Sequence, residues 1–362
     1  MRRAARAALI ALAVAACIVA AGCGRRTRAN DAADRTASTG AIDQLNDSLA
    51  DLTPAAASPA AGTAEVASRG TCADAKPHRA GDEDATIQSG GIERSYILHV
   101  PPSYDGTHRT PLVLNFHGFG SNARQQAIYS GLPAKGDAAG FIVVTPNGSG
   151  TPQRWNLVTA GGVDDVAFAR ELLDRIESQL CIDAQRVFAA GISNGSAFSL
   201  RLACEMPDRI AAVAAIAAMY MPLRCGAQAV GVIAFHGTDD PCVPFEGGTS
   251  KCGMGLPVPA VETGAADWAR HDGCNARPSQ TSISAHVRTV AYSECAGDAA
   301  VVLYVIDGGG HTWPGSIDVP RLGGTTHEIS ATDQIWEFFQ AQGGRPRSRT
   351  DHRRRTTEGD GQ

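Results

Sequence analysis

The sequence predicts an α/β protein with a mostly parallel sheet and helices on both faces. Short apolar runs alternate along the chain with segments of helical spacing, which is the pattern of parallel strands joined by crossover helices. The chain has 362 residues and is 43% hydrophobic, enough for one large domain with appended segments. A formal net charge of −5 shows no basic excess, so nucleic acid is not an expected partner.

The first elements follow from periodicity and from the residues that interrupt it. Residues 94–100 alternate in polarity, which predicts an early strand, and residues 111–116 are a short apolar run that ends at a His-Gly turn. Residues 122–139 predict a helix in two pieces, because a glycine and a proline interrupt the middle. Residues 141–145 predict a buried strand, which the following proline ends.

The later elements repeat the alternation of strand and helix. Residues 163–180 carry apolar side chains at helical spacing, and two aspartates near their start suit the positive end of a helix dipole. A strand at residues 186–190 and a helix at Asn194–Glu205 follow. The remaining predicted elements are two buried strands and a closing amphipathic helix, at residues 231–235, Val301–Ile306 and residues 332–342.

The chain begins like an exported protein. Three arginines precede an apolar run that is too short and too rich in alanine to predict a membrane span, and Cys23 follows it. The small residues before Cys23 resemble the end of a bacterial lipoprotein signal, so residues 1–23 are predicted to be a signal peptide with lipidation at Cys23. Lipidation at Cys17 and an ordinary cleaved secretory signal stay open as alternatives.

Two polar segments flank the expected folded domain. Residues 24–70 are rich in Ala, Thr, Ser, Asp and Pro with few large apolar side chains, which predicts a flexible tether. Residues 343–362 are dominated by Arg, Thr, Gly and Asp, which predicts a disordered tail. The folded domain is therefore expected at residues 71–342.

A nucleophile motif lies between a predicted strand and a predicted helix. The run Gly191-Ile192-Ser193-Asn194-Gly195 has the form G-x-S-x-G in a strand–turn–helix context. Such a sharp turn exposes the serine hydroxyl at the top of a sheet, and the glycines let neighbouring backbone approach closely. Ser193 is the predicted nucleophile, and an ordinary strand–helix turn is the alternative.

A serine hydroxyl needs a base, and the base needs an acid that orients it. His311 lies in a glycine-rich loop after the predicted strand Val301–Ile306 and is the predicted general base. Asp239 and Asp240 both follow the predicted strand at residues 231–235. Asp240 is the preferred acid, and Asp239 stays open as the alternative.

Attack of a serine on a carbonyl carbon also needs two backbone N–H donors for the developing oxyanion. Asn194, directly after the nucleophile, is predicted to supply one of them. Phe119, in the loop after the predicted strand at residues 111–116, is predicted to supply the other. His117 and His236 are predicted to brace their loops rather than to act as bases.

These segments together resemble the secreted polyhydroxybutyrate depolymerase, feruloyl esterase and acetyl xylan esterase family of α/β-hydrolases. The resemblance runs from about residue 94 to residue 339 and rests on HGFG at 117–120, VDDVAF at 163–168, RVFAAGISNGSAFSLRLACEMPDR at 186–209, HGTDDPCVPFEGG at 236–248 and GGGHTWPG at 308–315. It implies an α/β-hydrolase catalytic domain at residues 71–342 with Ser193, Asp240 and His311 as its triad. It also implies that Trp313 lines the site. Trp155 and Trp313 are candidates for an aromatic platform under the substrate, with a place in the core as the equal alternative.

Eight cysteines lie beyond the signal region, and an even number in an exported chain predicts disulfides. Cys274 and Cys295 flank a hairpin-like segment and are predicted to pair. A bridge between Cys242 and Cys252 would pin the loop of the acid, and the other four cysteines leave three pairings open. The sequence has no CxxC pair and no zinc-finger spacing, so no metal is expected, and acyl transfer needs no cofactor.

The predicted function is that of an exported serine carboxylesterase that hydrolyses feruloyl, acetyl or short hydroxyalkanoate esters through an acyl-enzyme on Ser193. The expected partners are a small or polysaccharide-linked ester and the membrane, through an N-terminal lipid anchor. The expected location is outside the cytoplasm, either lipid-anchored or secreted. The alternatives are a catalytically inactive surface lipoprotein that binds cell-wall or glycan ligands, and a serine peptidase. The sequence leaves the oligomeric state open.

Overall fold

A ten-stranded sheet forms the centre of the protein in a computed structural model, which describes residues 70–343 except 159, 160, 223 and 254. The predicted signal peptide with Cys23, the predicted tether up to residue 69 and the predicted tail from residue 344 lie outside the described residues. The described strands are β1 (Gly81–Ser89), β2 (Ile92–Val100), β3 (Thr110–Phe116), β4 (Ile142–Pro146), β5 (Ile182–Ile192), β6 (Ala212–Ile216), β7 (Gly231–Gly237), β8 (Gly248–Thr249), β9 (Pro257–Val258), β10 (Ser279–Ser282), β11 (Val287–Tyr292) and β12 (Val301–Ile306). The described α-helices are α1 (Ala123–Ser130), α2 (Leu132–Ala139), α3 (Asp165–Gln179), α4 (Asn194–Glu205), α5 (Val261–His271) and α6 (Ala331–Gln342).

The order of strands in this sheet is β1-β2-β4-β3-β5-β6-β7-β12-β11-β10. The six central strands, from β4 to β12, run parallel to one another, and antiparallel strands extend the sheet on each side. Parallel strands share one carboxyl edge, so the loops after β3, β5, β7 and β12 emerge on the same side of the sheet. These are the loops that carry the predicted catalytic and oxyanion residues.

The central strands of the sheet are buried on both faces, as the apolar runs predict. Along β3, Leu112 and Leu114 belong to the core on one face and Val113 to the core on the other. Helices α3, α4 and α5 contribute side chains to the first core, and α1, α2 and α6 contribute to the second. This arrangement of helices on both faces confirms the predicted fold class.

Several predicted bounds match the observed elements. The helix Asn194–Glu205 and the strand Val301–Ile306 begin and end where the sequence predicts. The helix predicted at residues 122–139 is two helices, because Gly131 adopts a left-handed conformation with φ of 63° and ends the first one. Among the described residues, no helix combines the length and the apolar character that crossing a bilayer requires.

Four disulfides link parts of the described chain. The predicted Cys274–Cys295 bridge is present, as is the Cys242–Cys252 bridge. The pairings that the sequence left open are Cys72–Cys181 and Cys204–Cys225. Disulfides in this number are typical of proteins that fold outside the reducing cytoplasm.

Candidate active site

Ser193 occupies a sharp turn between β5 and α4. Its φ of 57° lies in the left-handed region, which is unusual for a residue with a side chain, and the serine is partly exposed. A Cβ added at Gly191 would lie 2.5 Å from the backbone of Gly195, and one added at Gly195 would lie 2.2 Å from the carbonyl oxygen of Phe116. The two motif glycines are therefore required by close backbone contacts, which is the reason that the sequence suggests for them.

His311 and Asp240 meet across the adjacent strands β7 and β12. Nδ1 of His311 lies 2.8 Å from Oδ2 of Asp240, and both side chains are buried. A carboxylate can only accept, so Nδ1 carries the proton and Nε2 is left as the basic nitrogen. Asp239 is exposed, and its backbone N–H donates to the carbonyl oxygen of Gly309. The structure thus brings Asp240, and not Asp239, to the imidazole.

Close backbone packing fixes the position of the His311 loop. A Cβ added at Gly237 would lie 2.1 Å from the carbonyl oxygen of Gly309, and one added at Gly310 would lie 2.1 Å from that of Leu322. The N–H of His311 donates to the carbonyl oxygen of Leu322 at 2.6 Å. The glycine run therefore allows a tight approach between chain segments.

The carboxylate of Asp240 has a full set of hydrogen-bond donors. Oδ1 accepts from the backbone N–H groups of Cys242 and Val243, at 2.7 and 2.8 Å. Oδ2 faces His311 and also lies 3.3 Å from Nε2 of His236. Burial by itself would raise the pKa of Asp240, but the two histidines and their hydrogen bonds outweigh it and hold the pKa below its usual range. The acid is therefore ionised whenever the imidazole has to accept a proton.

The loop after β3 lies beside the serine. A Cβ added at Gly118 would lie 3.5 Å from Cβ of Ser193. Nδ1 of His117 donates to the carbonyl oxygen of Gly118 at 2.7 Å, while Nε2 accepts from the N–H of Gly148 at 2.9 Å. Because C=O and N–H of a trans peptide point in opposite directions, the N–H of Phe119 is directed away from the His117 ring.

His117 is a neutral bracing residue rather than a second base. Both ring nitrogens are engaged by backbone groups, and burial lowers the pKa of the ring to about 4. Asn194, the other predicted oxyanion residue, is the first residue of α4, where the backbone N–H groups have no partner within the helix. The helix dipole also favours negative charge at this end.

The two tryptophans lie in the core, which is one of the two alternatives that the sequence leaves open. Trp155 is 1% exposed, and its indole N–H donates to the carbonyl oxygen of His117. Trp313 is also 1% exposed, and its indole N–H donates to Oγ1 of Thr332. Rings buried in this way offer no face to a ligand.

Two features of the site were not foreseen in this form. The contact between His236 and Asp240 joins residues four positions apart in the motif HGTDD, and this short spacing is the signal that could have revealed it. The second feature is the set of contacts that residues 147–156 make with the β3 loop and with Asn194. These contacts join segments remote in sequence, so no local pattern predicts them.

One group of potential metal ligands is present in the described part of the chain. Ligand atoms of Asp240, Cys242 and His311 lie within 4.8 Å of one another. The sulfur of Cys242 is bonded to Cys252, and a disulfide sulfur is not the thiolate that a metal requires. Asp240 and His311 are hydrogen-bonded to each other, so the group has the chemistry of an acid–base pair beside a disulfide.

Comparisons with known proteins find similarity to esterases. A family model described as Esterase PHB depolymerase matches residues 94–246. The protein named "Putative esterase NocK" of Nocardia uniformis subsp. tsuyamanensis is 30% identical over 317 residues that cover 79% of this chain and 91% of that protein. Feruloyl esterase B of Piromyces equi is 31% identical over 229 residues that cover 60% of this chain and 42% of that protein.

A solved structure supports the fold. The acetyl xylan esterase from Aspergillus awamori matches with a TM-score of 0.53 at 14% sequence identity, over 72% of this chain and 99% of that one. The fold is that of the α/β-hydrolases, as the resemblance of the motifs implies.

Proposed function

This chain belongs to the Esterase PHB depolymerase family and is a carboxylic ester hydrolase, and from that premise we propose that it works through an acyl-enzyme on Ser193. The observation that carries the proposal is the buried contact between Nδ1 of His311 and Oδ2 of Asp240, at the sheet edge where Ser193 is partly exposed on its turn. Membership in an esterase family also disfavours the two alternative functions, that of a binding lipoprotein without activity and that of a peptidase.

The first half of the reaction forms the acyl-enzyme. Nε2 of His311 takes the proton of Ser193 as Oγ attacks the ester carbonyl, and the charge of Asp240 stabilises the imidazolium that results. The imidazolium then gives its proton to the leaving alcohol as the carbon–oxygen bond of the ester breaks. The acyl group is left on Ser193 as an ester.

The second half releases the acid. His311 takes a proton from a water molecule, which attacks the acyl-enzyme, and returns a proton to Oγ of Ser193 as the carboxylic acid leaves. In both halves the N–H groups of Asn194 and Phe119 would hold the negative oxygen of the tetrahedral intermediate. The direction of the Phe119 N–H, away from the His117 ring, and the position of Asn194 at a helix N-terminus support these roles.

The proposed substrates are feruloyl, acetyl or short hydroxyalkanoate esters, either free or attached to a polysaccharide. The similarity to a feruloyl esterase supports the first class, and the family supports the third. The test is a panel of 4-nitrophenyl esters of increasing acyl size together with methyl ferulate and acetylated xylan. The substrate with the highest kcat/KM identifies the class.

The mechanism is tested with purified protein and its Ser193→Ala variant. We expect hydrolysis of 4-nitrophenyl acetate by the first and a loss of about three orders of magnitude or more in the second. A fluorophosphonate should label the first protein once per chain, at Ser193. Equal hydrolysis by both proteins would contradict the acyl-enzyme mechanism.

We further propose export and lipidation at Cys23, for which the composition of the first 23 residues and the four disulfides are the support. Cells that express the chain and are fed a radiolabelled fatty acid should incorporate label into it. The Cys23→Ala variant should lose that label, while Cys17→Ala should keep it. Label that persists without Cys23 and disappears without Cys17 moves the anchor to Cys17.

A further inference from the structure

The two proposed oxyanion donors lie on different segments of the chain. Phe119 is in the loop after β3, and Asn194 begins α4. The spacing between their N–H groups decides how well they hold an oxyanion, and a misplacement of about 1 Å can cost roughly a hundredfold in rate. Residues 147–156, which we call the bracing segment, follow β4 and contact both donor segments.

The bracing segment holds the β3 loop at three points. The N–H of Gly148 donates to Nε2 of His117 at 2.9 Å, and the indole N–H of Trp155 donates to the carbonyl oxygen of His117 at 2.9 Å. The N–H of Gly120 donates to the carbonyl oxygen of Gln153 at 2.8 Å. Two of the three contacts are therefore on the residue two positions before Phe119, and the third is on the residue after it.

The same segment holds the start of α4 through Asn194. Oδ1 of Asn194 accepts from the backbone N–H of Trp155 at 2.7 Å, and Nδ2 donates to the backbone carbonyl oxygen of Trp155 at 3.1 Å. Trp155 is thus the one residue of the bracing segment that is hydrogen-bonded both to the start of α4 and to the β3 loop. Its ring is stacked on Phe198, with Phe116 against its edge, so it has little freedom to move.

A buried ion pair fixes the two ends of the bracing segment. Arg94 and Asp165 are joined at 2.8 Å, with both side chains almost fully buried. Nη2 of Arg94 donates to the carbonyl oxygen of Asn147, and Oδ2 of Asp165 accepts from the N–H of Asn156. The first and last residues of the segment are therefore held by one pair of opposite charges.

We propose that Trp155 is a positioning residue for ester hydrolysis, which acts through His117 and Asn194 to hold the N–H groups of Phe119 and Asn194 at the spacing that an oxyanion requires. This inference rests on the proposed function, because it assumes that these two N–H groups are the oxyanion donors. Trp155 itself is buried, so its side chain acts through these two residues.

The test is the Trp155→Phe variant of the whole protein. Phenylalanine keeps an aromatic ring between Phe116 and Phe198 and keeps the backbone contacts to Asn194, but it removes the donor to His117. We expect kcat for 4-nitrophenyl acetate to fall by about tenfold to a hundredfold with KM within about twofold, since the effect falls on the transition state. The Ki of a trifluoromethyl ketone, which forms a tetrahedral adduct with the serine, should rise by the same factor as kcat/KM falls.

Two further variants separate positioning from loss of packing. Trp336→Phe makes the same substitution at a buried tryptophan in α6, against Phe141, and should leave kcat at the wild-type value. Asn194→Ala keeps the backbone N–H of residue 194 but breaks the other link of the bracing segment. Because the two links act in series, the double variant with Trp155→Phe should have a kcat close to that of the slower single variant.

The outcomes divide clearly. A Trp155→Phe protein that is labelled once per chain by a fluorophosphonate, with kcat and Ki equal to those of the wild type, overturns the inference and leaves the proposed function standing. Multiplicative losses in the double variant also overturn it. If the wild type shows no hydrolysis, or if Ser193→Ala retains it, the proposed function fails first.

Discussion

Nε2 of His236 lies 3.3 Å from Oδ2 of Asp240, the oxygen that also faces Nδ1 of His311 at 2.8 Å. The same nitrogen of His236 lies 2.9 Å from the carbonyl oxygen of Val243. A carbonyl oxygen can only accept, so Nε2 carries a proton, which it donates to Val243 while it faces the carboxylate of Asp240. His236 therefore ties the carboxylate of the acid to the loop that follows it.

This contact makes His236 important for the rate although it is not a base. The variant His236→Leu should lose roughly tenfold in kcat with KM unchanged, because the polar N–H that faces a buried charge is removed. The variant His236→Gln keeps an N–H near the position of Nε2 and should stay within about threefold of the wild type. Steady-state kinetics on 4-nitrophenyl acetate measure both, and equal rates for the Leu and Gln variants would contradict the assignment.

Asp239 and Asp240 provide a matched pair for identifying the acid. Asp240→Asn should lower kcat by about a thousandfold or more, since the amide no longer holds the imidazole in the tautomer with a bare Nε2. Asp239→Asn alters an exposed side chain and should change kcat by less than about threefold. Circular dichroism checks that both variants are folded. A larger loss of kcat in Asp239→Asn than in Asp240→Asn would reverse the assignment of the acid.

The sequence predicts those parts of the site that are local in the chain. The turn around Ser193 is predicted by its own sequence, because two glycines and a serine between a strand and a helix are the pattern that such a turn requires. The order of an acid and then a histidine after later strands places Asp240 and His311 at the same sheet edge. It leaves open which of two adjacent aspartates faces inward, which depends on how the loop after β7 packs.

Elements whose local preferences disagree with their surroundings were not predicted. The strand β6, Ala212–Ile216, is mostly alanine, a residue that favours helices in isolation, and it is a strand because it lies between β5 and β7 in the sheet. The edge strand β1, Gly81–Ser89, is largely polar because much of it is exposed. Likewise, the role of Trp155 depends on contacts with residues 38 and 39 positions away.

Two disulfides at opposite edges of the sheet should have different effects on stability and on kcat. Cys242–Cys252 adjoins Asp240, whose Oδ1 accepts from the N–H of Cys242, and its bridge spans a sequence separation of 10. Replacing both cysteines by alanine should cost about 3 kcal/mol of stability and should also lower kcat several-fold, because the acid loop loses its restraint.

The control for that prediction is the bridge Cys72–Cys181, which has a sequence separation of 109. Cys181 directly precedes the first residue of β5, so this bridge lies at the edge of the sheet opposite the catalytic loops. Its removal should cost more stability, about 5 kcal/mol, with kcat unchanged in the folded protein. Urea unfolding and kinetics on the same preparations test both pairs. Loss of rate that follows stability in both pairs would show that the acid loop is not specifically restrained.

His117 should make the stability of the protein depend on pH. Burial lowers the pKa of His117 to about 4 in the folded protein, against about 6.5 in an unfolded chain. Between these values the unfolded chain binds a proton that the folded protein does not, so stability falls as pH drops below 6.5 and the loss is complete near pH 4. Between pH 7 and pH 5 this residue should account for about 2 kcal/mol of lost stability.

The variant His117→Asn keeps a donor near the position of Nδ1 without a titrating ring, so its urea midpoint should fall less over this range. A wild type and a variant whose midpoints fall in parallel would show that another group causes the acid sensitivity.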